Sequence, residues 1–136
     1  MTPGINGNIL VIDDEDIVIN VAQLVLRQAG YRVESAFNGN EALKHLQNYN
    51  HTGRKFDVII MDLSLPGDLC GKALIEAIRE IEPAATIVVS GGEPNDPILK
   101  HHSDYGLSGK LNKPYRAGDI KAVVNHVMTQ GKPIQV

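Results

Sequence analysis

Val58, Ile59, Ile60 and Met61 form an unbroken apolar run that closes on Asp62, and Leu63, Ser64, Leu65, Pro66 and Gly67 follow. A strand with one face in water alternates apolar and polar residues, whereas a run without alternation suits a parallel strand covered on both faces. Pro66 and Gly67 then stop regular structure. The run therefore predicts a central strand that delivers a carboxylate to the rim of a sheet, the edge at which open α/β sheets collect their ligands. Asp62 equally suits the capping of the turn behind it. Taken alone, the residue does not separate the two uses.

The rest of the chain repeats the pattern. Ile9, Leu10, Val11 and Ile12 form a second buried-strand run, and it too ends in acid, at Asp13, Asp14, Glu15 and Asp16. From about Asp16 the apolar spacing turns helical, predicting Ile17, Val21, Leu24 and Val25 as the stripe and Gly30 as the stop. Acids at the start of that helix suit its dipole. Residues 31–36 alternate loosely as a strand, and Asn38 with Glu41 three positions on has the form of a capping box opening a helix through Leu43 and Leu46. Beyond the central strand, Leu74, Ala77, Ile78 and Ile81 mark a helix ended by Glu82 and Pro83, and 86–90 is a fourth strand ending in Ser90 and closed by Gly91 and Gly92. Residues 93–104 contain Pro94 and Pro97 and allow at most a short helix from Ile98. A weak strand over 106–111 leads to Asn112, Lys113 and Pro114, and Ile120, Val123, Val124, Val127 and Met128 line one face of a last helix that Gly131 ends.

Strand and helix thus alternate five times, and right-handed crossovers turn that order into a five-stranded parallel sheet with helices on both faces. Asp13, Asp14, Asp62, Ser90 and Lys113 then all belong to one rim.

Composition removes several classes of function. At 136 residues the chain is about one domain long, expected as a single domain over 1–136 with a core from about 8 to 130 and short tails. Sixteen acidic and 13 basic residues are mixed along it for a net charge of −3, which provides neither a basic field for nucleic acid nor a polybasic membrane segment. The single cysteine, Cys70, excludes an internal disulfide, fits a reducing compartment and is read as a packing residue. His45 and His51 match no metal spacing and are read as solvated surface, while His101 and His102 are neighbours that would point about 100° apart on a helix. No apolar run approaches the roughly 18 residues of a membrane span, and the start lacks the parts of a signal peptide, so a soluble cytoplasmic protein is expected.

Three carboxylates crowded on one rim repel one another, and at least one should have a raised pKa unless a cation neutralises the group. All-oxygen ligands favour a hard ion, and Mg²⁺ is typically held by one or two carboxylates together with waters and a phosphate. A lysine supplies compact positive charge for a phosphoryl oxygen, a serine hydroxyl can donate to another, and a carboxylate can itself be the nucleophile. Phosphoryl transfer asks little of a protein beyond positioning and charge neutralisation. Asp62, the paired acids, Ser90 and Lys113 are a sufficient set of parts.

Four separated signatures carry a family resemblance over about 8–130: Asp13-Asp14 after the first strand, Asp62 with Pro66 four residues on, Ser90 after the fourth strand, and Lys113-Pro114. In these the chain resembles the receiver domain of two-component response regulators. The resemblance implies a flavodoxin-like (βα)5 doubly wound α/β fold with strand order 2-1-3-4-5. It further implies Asp62 as phosphoacceptor and Asp14 as a direct Mg²⁺ ligand, for which Mn²⁺ can substitute. Asp13 would be a second-sphere or water-mediated ligand, and the backbone carbonyl of Ser64 would join Asp62 in the metal set. Ser90 would be the phosphoryl-sensing hydroxyl and Lys113 the phosphate-pairing base, with a cis Lys113-Pro114 peptide aiming it. The implied partners are a histidine kinase or histidine phosphotransfer protein and an unknown output protein, with slow self-catalysed loss of the phosphoryl group rather than turnover as an enzyme.

Two departures stand beside the match. Cys70 occupies the place, eight residues after the acceptor, where such domains usually have glycine, and Gly71 follows, which would alter entry into the third helix. Three residues before the lysine, where an aromatic is usual, the chain has Lys110, expected to lie outward on its aliphatic stem as part of a switch or output surface. Two other readings compete with this one. A haloacid-dehalogenase-type phosphohydrolase would need a second Asp where Ser64 stands, and a flavodoxin-like flavin or nucleotide binder would need a Gly- or Ser/Thr-rich phosphate loop where the first strand ends in acids.

Overall fold

The computed structural model describes residues 6–93, 95–113 and 115–130. In chain order the elements are β1 (Gly7–Ile12), α1 (Asp16–Gln28), β2 (Tyr31–Ala36), α2 (Gly39–His51), β3 (Val58–Asp62), α3 (Gly71–Ile81), β4 (Ile87–Ser90), α4 (Pro97–Lys100), a 3-10 turn (His102–Tyr105), β5 (Gly109–Leu111) and α5 (Ala117–Gln130). All strand pairs are parallel, in the order β2-β1-β3-β4-β5.

The unbroken apolar runs still obey the strand period of two, because each face of the sheet has its own core. Leu10, Ile12, Ile59, Met61, Ile87 and Val89 point to the side covered by α2 and α3. Ile9, Val11, Val58, Ile60 and Val88 point to the side covered by α1 and α5. Every residue of β3 is buried, as expected of a middle strand with a core on both faces.

The buried stripe of α1 differs from the predicted one. Ile19, Ala22, Val25 and Leu26 face the sheet, whereas Ile17 is 71% exposed, Leu24 61% and Val21 39%. Apolar residues cover well over half of this helix's circumference, so helical periodicity admits more than one stripe, and contact with β1, β2 and α5 selects which is buried. Gly30 does stop the helix: it takes φ +96° and donates its N–H to the carbonyl of Arg27. At α2 the Asn38 side chain accepts from the Glu41 N–H at 2.9 Å, while the Glu41 carboxylate reaches back to the N–H of Phe37, one residue before the cap. His45 is half-buried against the Ser35 carbonyl at 2.9 Å and is not the solvated residue predicted, while His51 is exposed.

Between β4 and β5 the chain is mostly turns. Pro97 opens the one-turn α4, the Asp96 side chain accepts from the Ile98 N–H at 2.9 Å, and Leu99 anchors the turn in the core. The 3-10 turn ends at Gly106, and Arg79 of α3 donates to the carbonyls of Tyr105 and Gly106 at 2.7 and 2.8 Å. β5 is shorter than predicted, because residues 106–108 bend into it. Cys70 is the N-cap of α3, followed by Gly71 at φ +52°, and it is half-buried beside the α2/α3 core.

Candidate functional site

Strand register gathers the rim residues. Ile12 pairs with Met61, so Asp13 and Asp62 are the next residues out on adjacent strands, and Asp62 pairs in turn with Ser90. Asp13, Asp62 and Ser90 are each 1% exposed. Such burial of charge is tolerated only with pairing, and each carboxylate has it. Asp62 Oδ1 accepts from the N–H of Ser64 at 2.8 Å and Oδ2 accepts from Lys113 Nζ at 3.1 Å. The turn-capping and charge-pairing uses of Asp62 therefore coexist, one on each oxygen. Asp13 Oδ1 accepts from the Glu15 N–H at 2.9 Å, and its Oδ2 lies 2.8 Å from Lys113 Nζ.

Lys113 is the hub of the charges, reaching Asp13, Asp62 and, at 3.3 Å, Glu15. Burial by itself would lower its pKa, but the hydrogen bonds and charges of Asp13 and Asp62 outweigh that and hold the ammonium well above the ordinary lysine range. Asp13 is raised, first by burial and only secondarily by the charge of Asp62, with Lys113 pulling the other way. A raised carboxylate was expected from mutual repulsion, yet desolvation is the larger cause.

Asp14 is exposed, and it offers a carboxylate oxygen that lies with those of Asp13 and Asp62 inside 4.8 Å. Three oxygen donors at that spacing fit a hard divalent cation. Asp13 Oδ2 is buried with the Lys113 ammonium 2.8 Å away as its ion-pair partner, and this single contact leaves it a lone pair to offer. Ser90 Oγ is buried and unpartnered among the described residues.

Three neighbours were missed or undervalued by sequence reasoning. The Ser64 side chain, as distinct from its carbonyl, accepts from the Gly92 N–H at 2.9 Å and ties the β3 loop to the β4 loop. Gly91 takes φ +67°, and a Cβ there would collide with Asp62 Oδ1, so glycine is required where this backbone closes over the acid. Tyr115 is half-buried beside Lys113, and burial, followed by the Asp13 charge, pushes its phenol up to about 12. The Gly91-Gly92 pair was a legible signal; the roles of the Ser64 hydroxyl and Tyr115 have no local signature. Lys110 is exposed on β5, in keeping with the outward placement expected of it. The proposed cis peptide at Lys113-Pro114 lies outside the described residues.

Residues 9–125 match the family model for the response regulator receiver domain. The chain belongs to this family. Its relatives include the alkaline phosphatase synthesis transcriptional regulatory protein PhoP of Bacillus subtilis, 28% identical over 93% of this chain and 50% of that protein. Among solved structures, the receiver resembles a response regulator receiver domain protein from Clostridium thermocellum, with 25% identity, TM-score 0.77 and coverage of 92% of this chain and 96% of that one. It also resembles the chemotaxis response regulator CheY4 of Vibrio cholerae, at 27% identity and TM-score 0.76 over 89% of this chain and 98% of that one. The receiver spans about half the length of PhoP and of a second regulator of the same organism, YkoG. Membership of this signalling family decides against the phosphohydrolase and flavin-binding readings, and the strand order is the one its resemblance implied. No helix among the described residues is long and apolar enough to cross a membrane.

Proposed function

We propose that the receiver accepts a phosphoryl group on Asp62 from a phosphohistidine of a histidine kinase or histidine phosphotransfer protein, and that this biases a surface recognised by an output protein. The observation that carries the reading is the bridge of Lys113 Nζ across Asp13 and Asp62, at 2.8 and 3.1 Å, beside three convergent carboxylate oxygens. In the transfer a carboxylate oxygen of Asp62 attacks phosphorus as the P–N bond breaks, and the departing imidazole takes up a proton. Ser64 N–H fixes Oδ1, while Oδ2 is held by a flexible lysine arm, so Lys113 is the donor free to move as the new phosphoryl oxygens arrive. Asp13, Asp14, Asp62 and the Ser64 carbonyl are the proposed holders of Mg²⁺ or Mn²⁺. When bound, the cation supplies neutralisation of charge developing on the phosphoryl oxygens. Ser90, buried and without a partner among the described residues, is the proposed donor to one of those oxygens.

The exposed apolar residues Ile17, Val21 and Leu24 of α1 support docking of the donor. With Glu15, Lys113 and Tyr115, Ile17 and Val21 line an open cavity of about 420 Å³ that reaches the charged rim. A donor seated there would present its histidine to Asp62. Lys110, exposed on β5, is proposed as a contact for the output partner. The setting we infer is cytoplasmic, with residues 1–136 acting as one receiver domain.

Incubation with acetyl phosphate or a phosphorylated histidine donor tests this. Acid-stable, alkali-labile phosphate should appear only with Mg²⁺ or Mn²⁺, vanish on chelation and be absent from Asp62→Asn. Undiminished labelling of that variant would show the acceptor to be misassigned.

A further inference from the structure

Glu15 sits at the N-cap of α1, and its side chain makes no capping hydrogen bond. Ser, Thr, Asp and Asn are preferred at that position because a short side chain can turn back to the first free N–H groups of the helix. The Glu15 backbone N–H is instead pinned by Asp13 Oδ1 at 2.9 Å. Its carboxylate reaches across the rim to Lys113 Nζ, 98 residues away in sequence and 3.3 Å away in space. Helix formation does not account for that contact.

An ammonium carries three N–H donors, and Lys113 faces three carboxylates: Asp13 at 2.8 Å, Asp62 at 3.1 Å and Glu15 at 3.3 Å. The three are not equivalent. Asp13 and Asp62 are buried and belong, with Asp14, to the group whose oxygens lie within 4.8 Å of one another and fit a divalent cation. Glu15 stands outside that group, and its side chain is 58% exposed. The two shorter contacts of Lys113 are thus made with the acids that a cation would share, and like charges brought into one pocket repel. Glu15 is the acid left to the lysine alone. Its exposure gives the carboxylate room to follow the ammonium, and the flexible four-carbon stem of lysine gives the ammonium the same freedom. A second open cavity beside Lys113, of about 280 Å³, is lined by Gly91, Gly92, Leu99 and Asn112 and offers it no acid.

We propose that Glu15 is a positioning residue for Lys113: it keeps the ammonium at the mouth of the pocket when Asp13 and Asp62 turn to a cation, so that the lysine is at hand for the phosphoryl oxygens. The inference rests on Asp13, Asp14 and Asp62 being the metal holders. In the metal-free protein the Lys113–Glu15 pair is the longest of the three; in the loaded protein it is the one that remains. A glutamate long enough to span the rim therefore stands where a shorter acid would cap the helix better.

The experiment is NMR of the lysine ammonium groups in the whole chain, without metal and with saturating Mg²⁺, in wild type and Glu15→Gln. Lys113→Arg assigns the Lys113 signal by its loss. An ammonium held in ion pairs exchanges its protons slowly enough to be observed, and one free in water does not. Without metal we expect the Lys113 signal in both proteins, because Asp13 and Asp62 hold it. With Mg²⁺ it should shift and persist in wild type and be lost from Glu15→Gln, which keeps the length of the side chain and removes its charge. Persistence in Mg²⁺-saturated Glu15→Gln, or loss from Mg²⁺-saturated wild type, would overturn the positioning role. By calorimetry, the Mg²⁺ affinity of Glu15→Gln should stay within about fivefold of wild type, the weight of an exposed ion pair; a larger loss would make Glu15 a ligand of the ion and overturn the proposal. If Mg²⁺ moved neither the Lys113 signal nor the amides of Asp13, Asp14 and Ser64 in wild type, the metal reading itself would fail, and the positioning role with it.

Discussion

Lys113 occupies the place among the acids that a divalent cation would share. Removing it leaves Asp13 and Asp62 buried side by side without their cation. For Lys113→Ala we expect a stability loss of about 1–3 kcal/mol in metal-free urea unfolding, less than for a fully buried pair because the lysine is partly solvated. Saturating Mg²⁺ should restore most of it; a variant as unstable with Mg²⁺ as without would show that the lysine stabilises by packing and not by charge. The raised Asp13 carboxyl gives a second prediction at this scale. Its folded-state pKa lies above its unfolded value, so its stabilising contribution is fully present below the unfolded pKa and is lost as pH rises through the folded one. The same proton competes with metal. Mg²⁺ affinity, measured by calorimetry, should fall about tenfold per pH unit once pH drops below the folded pKa of Asp13. An affinity flat across the carboxylate range would mean that Asp13 takes no part in the site.

Among the elements, α1 separates stability from recognition along a single helix. Leu26 is fully buried and Leu24 is 61% exposed, two residues apart. Leu26→Ala should cost about 2–5 kcal/mol, whereas Leu24→Glu should stay within about 0.5 kcal/mol of wild type. If the exposed stripe seats the phosphodonor, Leu24→Glu should slow transfer from a histidine donor and leave labelling by acetyl phosphate unchanged, since the small donor needs no docking face. Equal slowing with both donors would remove α1 from recognition. The β4–β5 connection shows the opposite economy: a one-turn α4 and a 3-10 turn are held by side chains, with Asp96 capping one end and Arg79 gripping the carbonyls of Tyr105 and Gly106 at the other.

For the whole molecule, metal binding and folding are linked, because carboxylates from two different strand ends meet only in the native state. At a free Mg²⁺ concentration one hundred times its Kd, stability should rise by roughly 2.7 kcal/mol. The corresponding rise in Tm is on the order of 10 °C for a domain this size. Differential scanning calorimetry should show that rise in wild type, its reversal by chelator, and its loss in Asp13→Asn; a rise undiminished in that variant would place the ion elsewhere. The strand–helix alternation, the parallel sheet and the acids at strand ends were all legible in the sequence, because apolar period, turn residues and caps are local properties. Asp13, Asp62, Ser90 and Lys113 could be assigned to one rim from topology alone, since parallel strands all end on the same side. What only the tertiary structure decided is what touches what. Ile17, Val21, Leu24 and Val25 were assigned to the buried stripe, but of these the sheet takes only Val25, with Ile19, Ala22 and Leu26, because a helix apolar over more than half its circumference leaves its exact orientation to its neighbours. The three-way grip of Lys113, the Ser64 hydroxyl on Gly92 and the place of Tyr115 beside the charged rim depend on side-chain directions across elements far apart in sequence, and periodicity within one element does not encode those directions.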